Sequence, residues 1–297
     1  MESKILMESG TNELEVLEFT IAGNSYGINV AKIREIINYQ QVTPVPNSHP
    51  SIEGIFMPRD TMITAVDLAN CLQLGEAKPG GLFIVTNFNK LDIAFHVENV
   101  VGIHRVSWTQ IMKPETTLSS VNEGISTGIV NINGKLIVIL DFEKIVSDIN
   151  PETSIKISEV ESLGERKRND IPIILAEDSA LLNKLVRDAL KAAGYTNVMS
   201  CEDGQEAWDI LCDAEKKGMI DEVCRLVITD IEMPRMDGFR LLKLIKENEK
   251  LGHLPVVIFS SLVNEEMRRK GESLGADAQL SKPEIGNLVM EVDALVN

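Results

Sequence analysis

The stretch IILAEDSA, residues 173–180, begins as a buried β-strand and ends in a pair of adjacent carboxylates. Its residues from Ile173 to Ala176 are a continuous apolar run, which is typical of a strand covered on both faces of its sheet. Glu177 and Asp178 follow side by side, where two like charges repel each other and the loss of water is costly. The pair therefore predicts a positive partner close by, either a cation or a basic side chain.

Strands of this kind recur along the second half of the chain, and each is followed by a helical segment. The expected strands are residues 173–176, 198–201, 225–229, 256–260 and 278–280. Strand–helix units in this succession predict an α/β domain with a doubly wound, five-stranded parallel sheet. In such a sheet the carboxyl ends of the strands lie along one edge, and ligands bind there.

Polar groups stand at the carboxyl ends of three of these strands, and a lysine follows the last strand. Glu177 and Asp178 end the first strand, Asp230 ends the third and Ser260 the fourth, while Lys282 comes after the fifth. Three carboxylates at one edge suit Mg²⁺, a hard cation that takes oxygen ligands and keeps several waters. An aspartate there can also accept a phosphoryl group, whose oxygens a lysine would neutralise and a hydroxyl would hydrogen-bond.

Taken singly, each of these residues has an ordinary structural explanation. Glu177 and Asp178 could cap the helix that follows them, because acids favour helix N-termini. Asp230 could be a turn residue, Ser260 a loop residue and Lys282 a solvated charge. The combination is far more specific than any one of its members.

The first half of the chain has a different sequence pattern, with short predicted strands separated by glycine and asparagine turns. Gly23-Asn24 and Asn133-Gly134 are hairpin signals between apolar strands, and residues 31–38 are expected to form a short helix. Regularly spaced strands predict a small β-barrel or a sandwich. A polar segment, residues 151–170, separates the two halves and is predicted to be a linker.

Composition argues against several classes of function. The formal net charge of −16 leaves no basic surplus to neutralise the phosphates of nucleic acid or of an anionic membrane surface. The four cysteines lack metal-binding spacing, which predicts reduced thiols, and the histidines are isolated along the sequence. Neither a signal peptide nor an apolar run of about 18 residues occurs, so a cytoplasmic location without membrane insertion is expected.

The segment LVITDIEMPRMDG, residues 226–238, closely resembles the phosphorylation loop of response-regulator receiver domains. The segments ILAEDS, VIFSS and GADAQLSKP fall in the order and at the spacing of that family's other motifs, so the resemblance covers residues 171–297. It implies that Asp230 is the phosphoacceptor, that Ser260 is the switch hydroxyl and that Lys282 contacts the phosphate.

The same resemblance implies Mg²⁺ as the cofactor. Its ligands would be Glu177, Asp178, Asp230 and the backbone carbonyl of Glu232.

Two residues depart from the common pattern. Glu177 stands where an aspartate is more frequent, so its contact with the metal is expected to be longer or mediated by water. Gln279 stands where many receivers carry an aromatic switch residue, so a signal is expected to leave through the loop after the fourth strand.

The front half resembles the coupling domain of bacterial chemotaxis adaptors of the CheW type. The segments that carry the resemblance, within residues 13–150, are FTIAGNSYGINVAKIREII, IEGIFMPRDTMITAVDL and STGIVNINGKLIVILDF. It implies two SH3-like β-barrels that bind the cytoplasmic domain of a chemoreceptor and the regulatory domain of a histidine kinase. Arg59 matches the arginine of the family's Asn-Leu-Arg-Gly motif, although its neighbours differ here, and the match implies a partner-binding role.

A coupling domain followed by a receiver is the architecture of CheV-type chemotaxis coupling proteins. The resemblance implies an adaptor, associated with membrane-bound receptor arrays, whose activity is modulated by phosphorylation at Asp230 and which is not a turnover enzyme. A phosphate sink that drains phosphoryl groups from the kinase is the alternative within this architecture. A dehalogenase-like phosphatase would need an Asp-x-Asp pattern on its first strand, and a DNA-binding response regulator would need a basic output segment. Neither pattern occurs in this sequence.

Overall fold

The computed structural model describes residues 12–77, 79–88, 91–112, 125–150, 157–164, 167–262, 264–282 and 284–296. The chain divides into two compact units. The first unit is residues 14–153, and the second unit is residues 154–297 together with the segment that ends at residue 13. In the part of the chain that the structure describes, no helix has both the length and the apolar character needed to cross a membrane.

The described residues of the first unit form two five-stranded sheets and two short α-helices. The elements are β1 (Glu13–Ile21), β2 (Asn24–Asn29), β3 (Ile33–Asn38), β4 (Ile52–Phe56), β5 (Ile63–Asp67), α1 (Leu68–Cys71), β6 (Leu82–Phe88), β7 (Leu91–Val97), β8 (Asn99–Ser107), β9 (Ser126–Ile132), β10 (Lys135–Leu140) and α2 (Phe142–Ile149). One sheet has the strand order β8-β1-β2-β10-β9, and the other has the order β3-β6-β7-β5-β4.

A short bridge closes each sheet, because the chain that continues one edge strand pairs with the opposite edge strand. Thr43, which follows β3, exchanges backbone hydrogen bonds with Ile55 of β4, and Met112, which follows β8, does the same with Ile129 of β9. The first bridge needs glycine at position 54, since a Cβ there would lie 2.3 Å from the Thr43 carbonyl oxygen. The predicted pair of small β-barrels is confirmed.

The two barrels share one topology, which indicates an internal repeat. The antiparallel β1–β2 hairpin, the parallel β2–β10 pair and the antiparallel β10–β9 hairpin correspond to β6–β7, β7–β5 and β5–β4. Gly54 precedes Asp67 at the same spacing at which Gly128 precedes Asp141, and each aspartate caps the helix that follows it. Each barrel therefore combines two strands of one repeat with three strands of the other.

The short helix predicted over residues 31–38 is wrong. Only Val30–Lys32 forms a turn of 3-10 helix, and Ile33–Asn38 is strand β3, which pairs antiparallel with β6. Ile33, Ile36 and Ile37 are β-branched, and such side chains pack well on a pleated sheet and lose rotamer freedom in a helix. Pairing with a strand that lies far away in the sequence decided the outcome.

The second unit has a single five-stranded sheet with helices beside it. Its elements, within the described residues, are α3 (Ile157–Glu161), β11 (Ile173–Ala176), α4 (Ala180–Ala192), β12 (Val198–Cys201), α5 (Gly204–Lys217), α6 (Ile220–Val223), β13 (Leu226–Thr229), α7 (Gly238–Glu247), β14 (Val256–Ser260), α8 (Glu265–Leu274), β15 (Ala278–Ser281) and α9 (Ile285–Val296). All strands are parallel, in the order β12-β11-β13-β14-β15. The predicted doubly wound parallel sheet is confirmed.

Helix α3 lies inside the segment that the sequence analysis assigns to a linker. It packs against α4 and α9. Val160 is 1% exposed and belongs to the apolar cluster that contains Leu190 of α4 and Val289 of α9. This segment therefore supplies an apolar side chain to the core of the second unit.

Candidate functional site

The order of the strands creates a crevice at the carboxyl end of the sheet. The chain leaves β11 toward β12 on one side and leaves β13 toward β14 on the other, so the gap between β11 and β13 is a topological switch point. Glu177 and Asp178 follow β11, and Asp230 follows β13. The backbone N–H of Asp230 donates to the carbonyl of Ala176 at 3.0 Å, which holds the two strand ends side by side.

Three carboxylates meet in this crevice. Glu177, Asp178 and Asp230 each offer an oxygen, and these oxygens lie within 4.8 Å of one another. Glu177 and Asp230 are buried, whereas Asp178 is half-buried. Carboxylate oxygens are ligands that Mg²⁺ prefers, and the half-buried residue leaves a side open to solvent. The residues present therefore fit a hydrated magnesium ion.

Lys282 lies against two of these carboxylates and is itself buried. Its Nζ donates to Glu177 Oε2 at 2.6 Å and to Asp230 Oδ2 at 3.0 Å. The lysine is thus a positive partner of the kind that the adjacent acids predict. With one lysine and three carboxylates the cluster has a formal charge of −2, which matches a divalent cation.

The backbone around Asp230 fixes the direction of its carboxylate. The N–H of Ile231 donates to Asp230 Oδ1 at 2.6 Å, while Oδ2 accepts from Lys282. The backbone at Gly238, where the loop ends, lies very close to the backbone of Asp230. A Cβ at Gly238 would lie only 1.9 Å from the Asp230 carbonyl oxygen. Gly238 was not singled out from the sequence, although an Asp-Gly pair at the start of a helix is a signal for it. Glu232 lies two residues after Asp230 in the same loop.

Ser260 ends β14 and is 1% exposed. Its Oγ accepts from the backbone N–H of Leu262 at 3.2 Å, and its carbonyl accepts from the backbone N–H of Lys282 at 3.1 Å. The hydroxyl is therefore held by its own loop in this state. The end of β14 is also tied directly to the residue that contacts the carboxylates.

Gln279, the residue at the usual aromatic position, fastens β15 to α8. Its Nε2 donates to the carbonyl of Arg268 at 2.8 Å. A Cβ at Gly271 would lie 2.2 Å from Gln279 Oε1, so the amide occupies the notch that this glycine leaves on α8. The glutamine is thus a link between a strand and a helix.

Asn12 contacts the loop between Asp230 and α7, and the sequence analysis missed it. Its Nδ2 donates to the carbonyl of Arg235 at 2.7 Å, and its Oδ1 accepts from the N–H of Asp237 at 3.1 Å. Residue 12 groups with the second unit despite its distance along the chain. No local pattern marks an asparagine for such a contact.

Arg59 belongs to the first unit, in the turn between β4 and β5. Its side chain is 78% exposed, and its Nη2 lies 3.4 Å from Glu35 Oε2 on β3. Met57 and Met62, which flank it in the turn, are 62% and 61% exposed. The turn thus presents a cation between two large apolar side chains.

Two histidines that look isolated in the sequence are paired with acids in the first unit. His96 is buried, with Nδ1 2.5 Å from Glu53 Oε1 and Nε2 2.6 Å from the Gly80 carbonyl oxygen. Burial disfavours the charged ring, but these hydrogen bonds outweigh it, and the pKa of His96 is raised. His104 Nε2 lies 2.8 Å from a carboxylate oxygen of the buried Glu18. Both pairs are built into the barrels.

Comparison with known proteins assigns each unit to a family. The CheW-like domain matches residues 15–150, and the response regulator receiver domain matches residues 173–293. Chemotaxis protein CheV3 of Helicobacter pylori is 26% identical over 312 residues, covering 100% of this chain and 99% of the relative.

Two shorter relatives match one unit each. Chemotaxis protein CheW of Thermotoga maritima is 32% identical over 139 residues, covering 46% of this chain and 90% of the relative. Chemotaxis protein CheY-3 of Vibrio cholerae is 31% identical over 114 residues, covering 38% of this chain and 82% of the relative.

Proposed function

We propose a function from the family to which this chain belongs, the CheV-type chemotaxis proteins, in which a CheW-like domain is joined to a response regulator receiver domain. The chain couples chemoreceptors to a histidine kinase, and phosphorylation at Asp230 modulates the coupling. The coupling domain is residues 13–150, the linker residues 151–170 and the receiver residues 171–297. The chain turns over no substrate, and its receiver assists only its own phosphorylation and dephosphorylation.

The contact of Lys282 with both Glu177 and Asp230 carries the proposal for the receiver. An oxygen of Asp230 forms a bond to phosphorus while the bond between the phosphorus and the kinase donor breaks. Lys282 then exchanges its carboxylate contacts for a phosphoryl oxygen, and Ser260 turns from the Leu262 N–H toward another. Before the reaction begins, Lys282 Nζ lies 3.0 Å from Asp230 Oδ2, and Ser260 lies at the end of β14, the strand next to β13.

The metal proposal uses the carboxylate cluster. Glu177, Asp178, Asp230 and the carbonyl of Glu232 would hold Mg²⁺, which when bound supplies positive charge to the phosphoryl oxygens. Glu177 Oε1 accepts from the N–H of Ser179 at 3.2 Å, while Oε2 accepts from Lys282. Because the chain already engages both of its oxygens, Glu177 is the ligand expected to act through water.

The coupling proposal rests on the exposed turn around Arg59. Arginine and methionine are enriched in the buried centres of protein interfaces, and both stand exposed in this turn. The chemoreceptor and the kinase are the proposed partners, at membrane-bound receptor arrays in the cytoplasm. The formal net charge of −16 supports neither nucleic-acid binding nor attachment to an anionic membrane.

Binding of beryllofluoride, which stands in for the phosphoryl group on the acceptor aspartate, tests the receiver site. We expect wild type to bind it only when Mg²⁺ is present, and Asp178→Asn and Asp230→Asn not to bind it. Asp188→Asn, at an exposed acid of α4 that pairs with Lys184, is the matched control and should bind as wild type does. Equal binding by Asp178→Asn and wild type would show that the metal assignment is wrong.

A phosphate sink is the second candidate, and the Gln279 link favours it. Since this amide ties β15 to α8, the face that an aromatic switch would rearrange is fastened here. Receptor, kinase and this protein should be reconstituted and kinase activity measured with and without a small phosphodonor. A change that Asp230→Ala abolishes supports modulation of coupling. Identical activities support the sink.

A further inference from the structure

Helix α3 straddles two helices that both begin at the candidate phosphorylation site. Helix α4 begins at Ala180, two residues after Asp178, and helix α9 begins at Ile285, three residues after Lys282. Helix α3 packs against both of them. Along the sequence, α3 is the first element of the second unit after α2 of the first unit, and residues 151–156 directly precede it.

The contacts that α3 makes with α4 and α9 are partly apolar and partly polar. Val160, which is 1% exposed, lies in the apolar cluster that includes Leu190 of α4 and Val289 of α9, and Leu163 packs against the same cluster. Glu159 Oε2 accepts a hydrogen bond of 3.4 Å from the backbone N–H of Gly286, in the first turn of α9. An acid is favourable there, because the first N–H groups of a helix have no partner within it.

The ion pair between Lys282 and Glu177 joins the starting points of these two helices. Glu177 precedes α4, Lys282 precedes α9, and the two side chains are 2.6 Å apart and buried. As long as the pair is intact, the first turns of α4 and α9 are held in one arrangement. This is the arrangement on which α3 is seated.

We propose that α3, which lies within the linker segment, responds to the state of the phosphorylation site. The inference rests on the proposed phosphorylation of Asp230 and adds the route by which it is felt. A phosphoryl group draws Lys282 away from Glu177, the first turn of α9 moves relative to α4, and the contacts of Val160 and Glu159 weaken. Helix α3 then opens more often at the start of the second unit.

Hydrogen exchange of the full chain, followed by mass spectrometry, tests the route. Exchange in residues 157–164 reports local opening of α3, and exchange in residues 226–238 reports occupancy of the site. With Mg²⁺ and beryllofluoride we expect slower exchange in the loop and faster exchange in α3. An allosteric coupling of ordinary size corresponds to a change of about 5- to 150-fold in the opening equilibrium.

Variants on α3 distinguish an effect of its specific contacts from a general loss of stability. Val160→Ala and Glu159→Gln should each raise α3 exchange without beryllofluoride and shrink the further change on its addition. Ser158→Ala, at an exposed position of the same helix, is the control and should behave as wild type does. If the loop responds while α3 exchange changes less than twofold, the route through α3 is wrong. If the loop does not respond either, the proposed phosphorylation site itself is wrong.

Discussion

Replacing Lys282 by methionine removes the positive member of a buried cluster while keeping the length of the side chain. Lys282 lies 2.6 Å from Glu177 Oε2 and 3.0 Å from Asp230 Oδ2, and all three side chains are almost fully buried. At an effective dielectric constant of about 20, each contact is worth about 6 kcal/mol of attraction. The cost of removing water from the charges offsets much of this attraction.

We expect Lys282→Met to lower the free energy of unfolding of the second unit by about 3–5 kcal/mol, the usual cost of leaving a buried charge without its partner. Mg²⁺ should recover part of the loss, since a ligand at about 100 times its Kd stabilises the folded state by about 2.7 kcal/mol. Its affinity for the variant should also exceed that for wild type, because the lysine no longer competes for the carboxylates.

Urea unfolding in a Trp108→Phe background measures this loss, since Trp208 is then the only tryptophan and lies in the second unit. Lys184→Met is the matched control: that lysine pairs with Asp188 on the surface, and the substitution should cost less than about 1 kcal/mol. If Lys282→Met unfolds at the urea concentration of wild type, with and without Mg²⁺, the reasoning about the buried cluster is refuted.

Three other substitutions test the structure in the same way. Gly238→Ala should lower the unfolding free energy of the second unit by about 3 kcal/mol, because its Cβ would lie 1.9 Å from a backbone oxygen, whereas Gly286→Ala, with its nearest contact at 3.6 Å, should unfold no earlier than wild type. The stability that the buried His96 contributes should be complete below its ordinary pKa of 6.5 and be lost as pH rises through its raised pKa. His96→Asn should therefore flatten the dependence of first-unit stability on pH. Equal slopes of unfolding free energy against pH in the variant and in wild type would contradict this. Arg59→Ala should weaken binding to the kinase or receptor about tenfold without changing the unfolding midpoint, whereas Arg34→Ala, a second exposed arginine, should leave binding unchanged.

Much of the second unit could be predicted from the sequence because its signals are local. An apolar run such as Ile173–Ala176 can only be satisfied by cover on both faces, and its alternation with helices specifies a parallel sheet. Parallel strands place their carboxyl ends at one edge, so acids separated by 52 residues, Asp178 and Asp230, could be expected in one crevice. Their roles in metal binding and phosphorylation stay predictions.

The first unit was less predictable, since its strands pair with partners from the other repeat. Residues 33–38 look equally suited to a short helix, and only the antiparallel register with β6 makes them a strand. The exchange of strands between the barrels depends on pairings such as β2 with β10, which no local pattern encodes. Family resemblance could suggest the two barrels, but the strand exchange became evident only from the pairings.

The sequence by itself determined the alternation of strands and helices in the second unit, the acids at its strand ends and the two families to which the halves belong. Only the tertiary structure decided that Lys282 contacts Glu177, that Gln279 fills the notch at Gly271, and that Val160 is buried against two helices. The physical reason is that propensity and apolar periodicity act between neighbours along the chain. Ion pairs, close backbone approaches and the burial of one side chain in a polar segment depend on which distant surfaces the fold brings together.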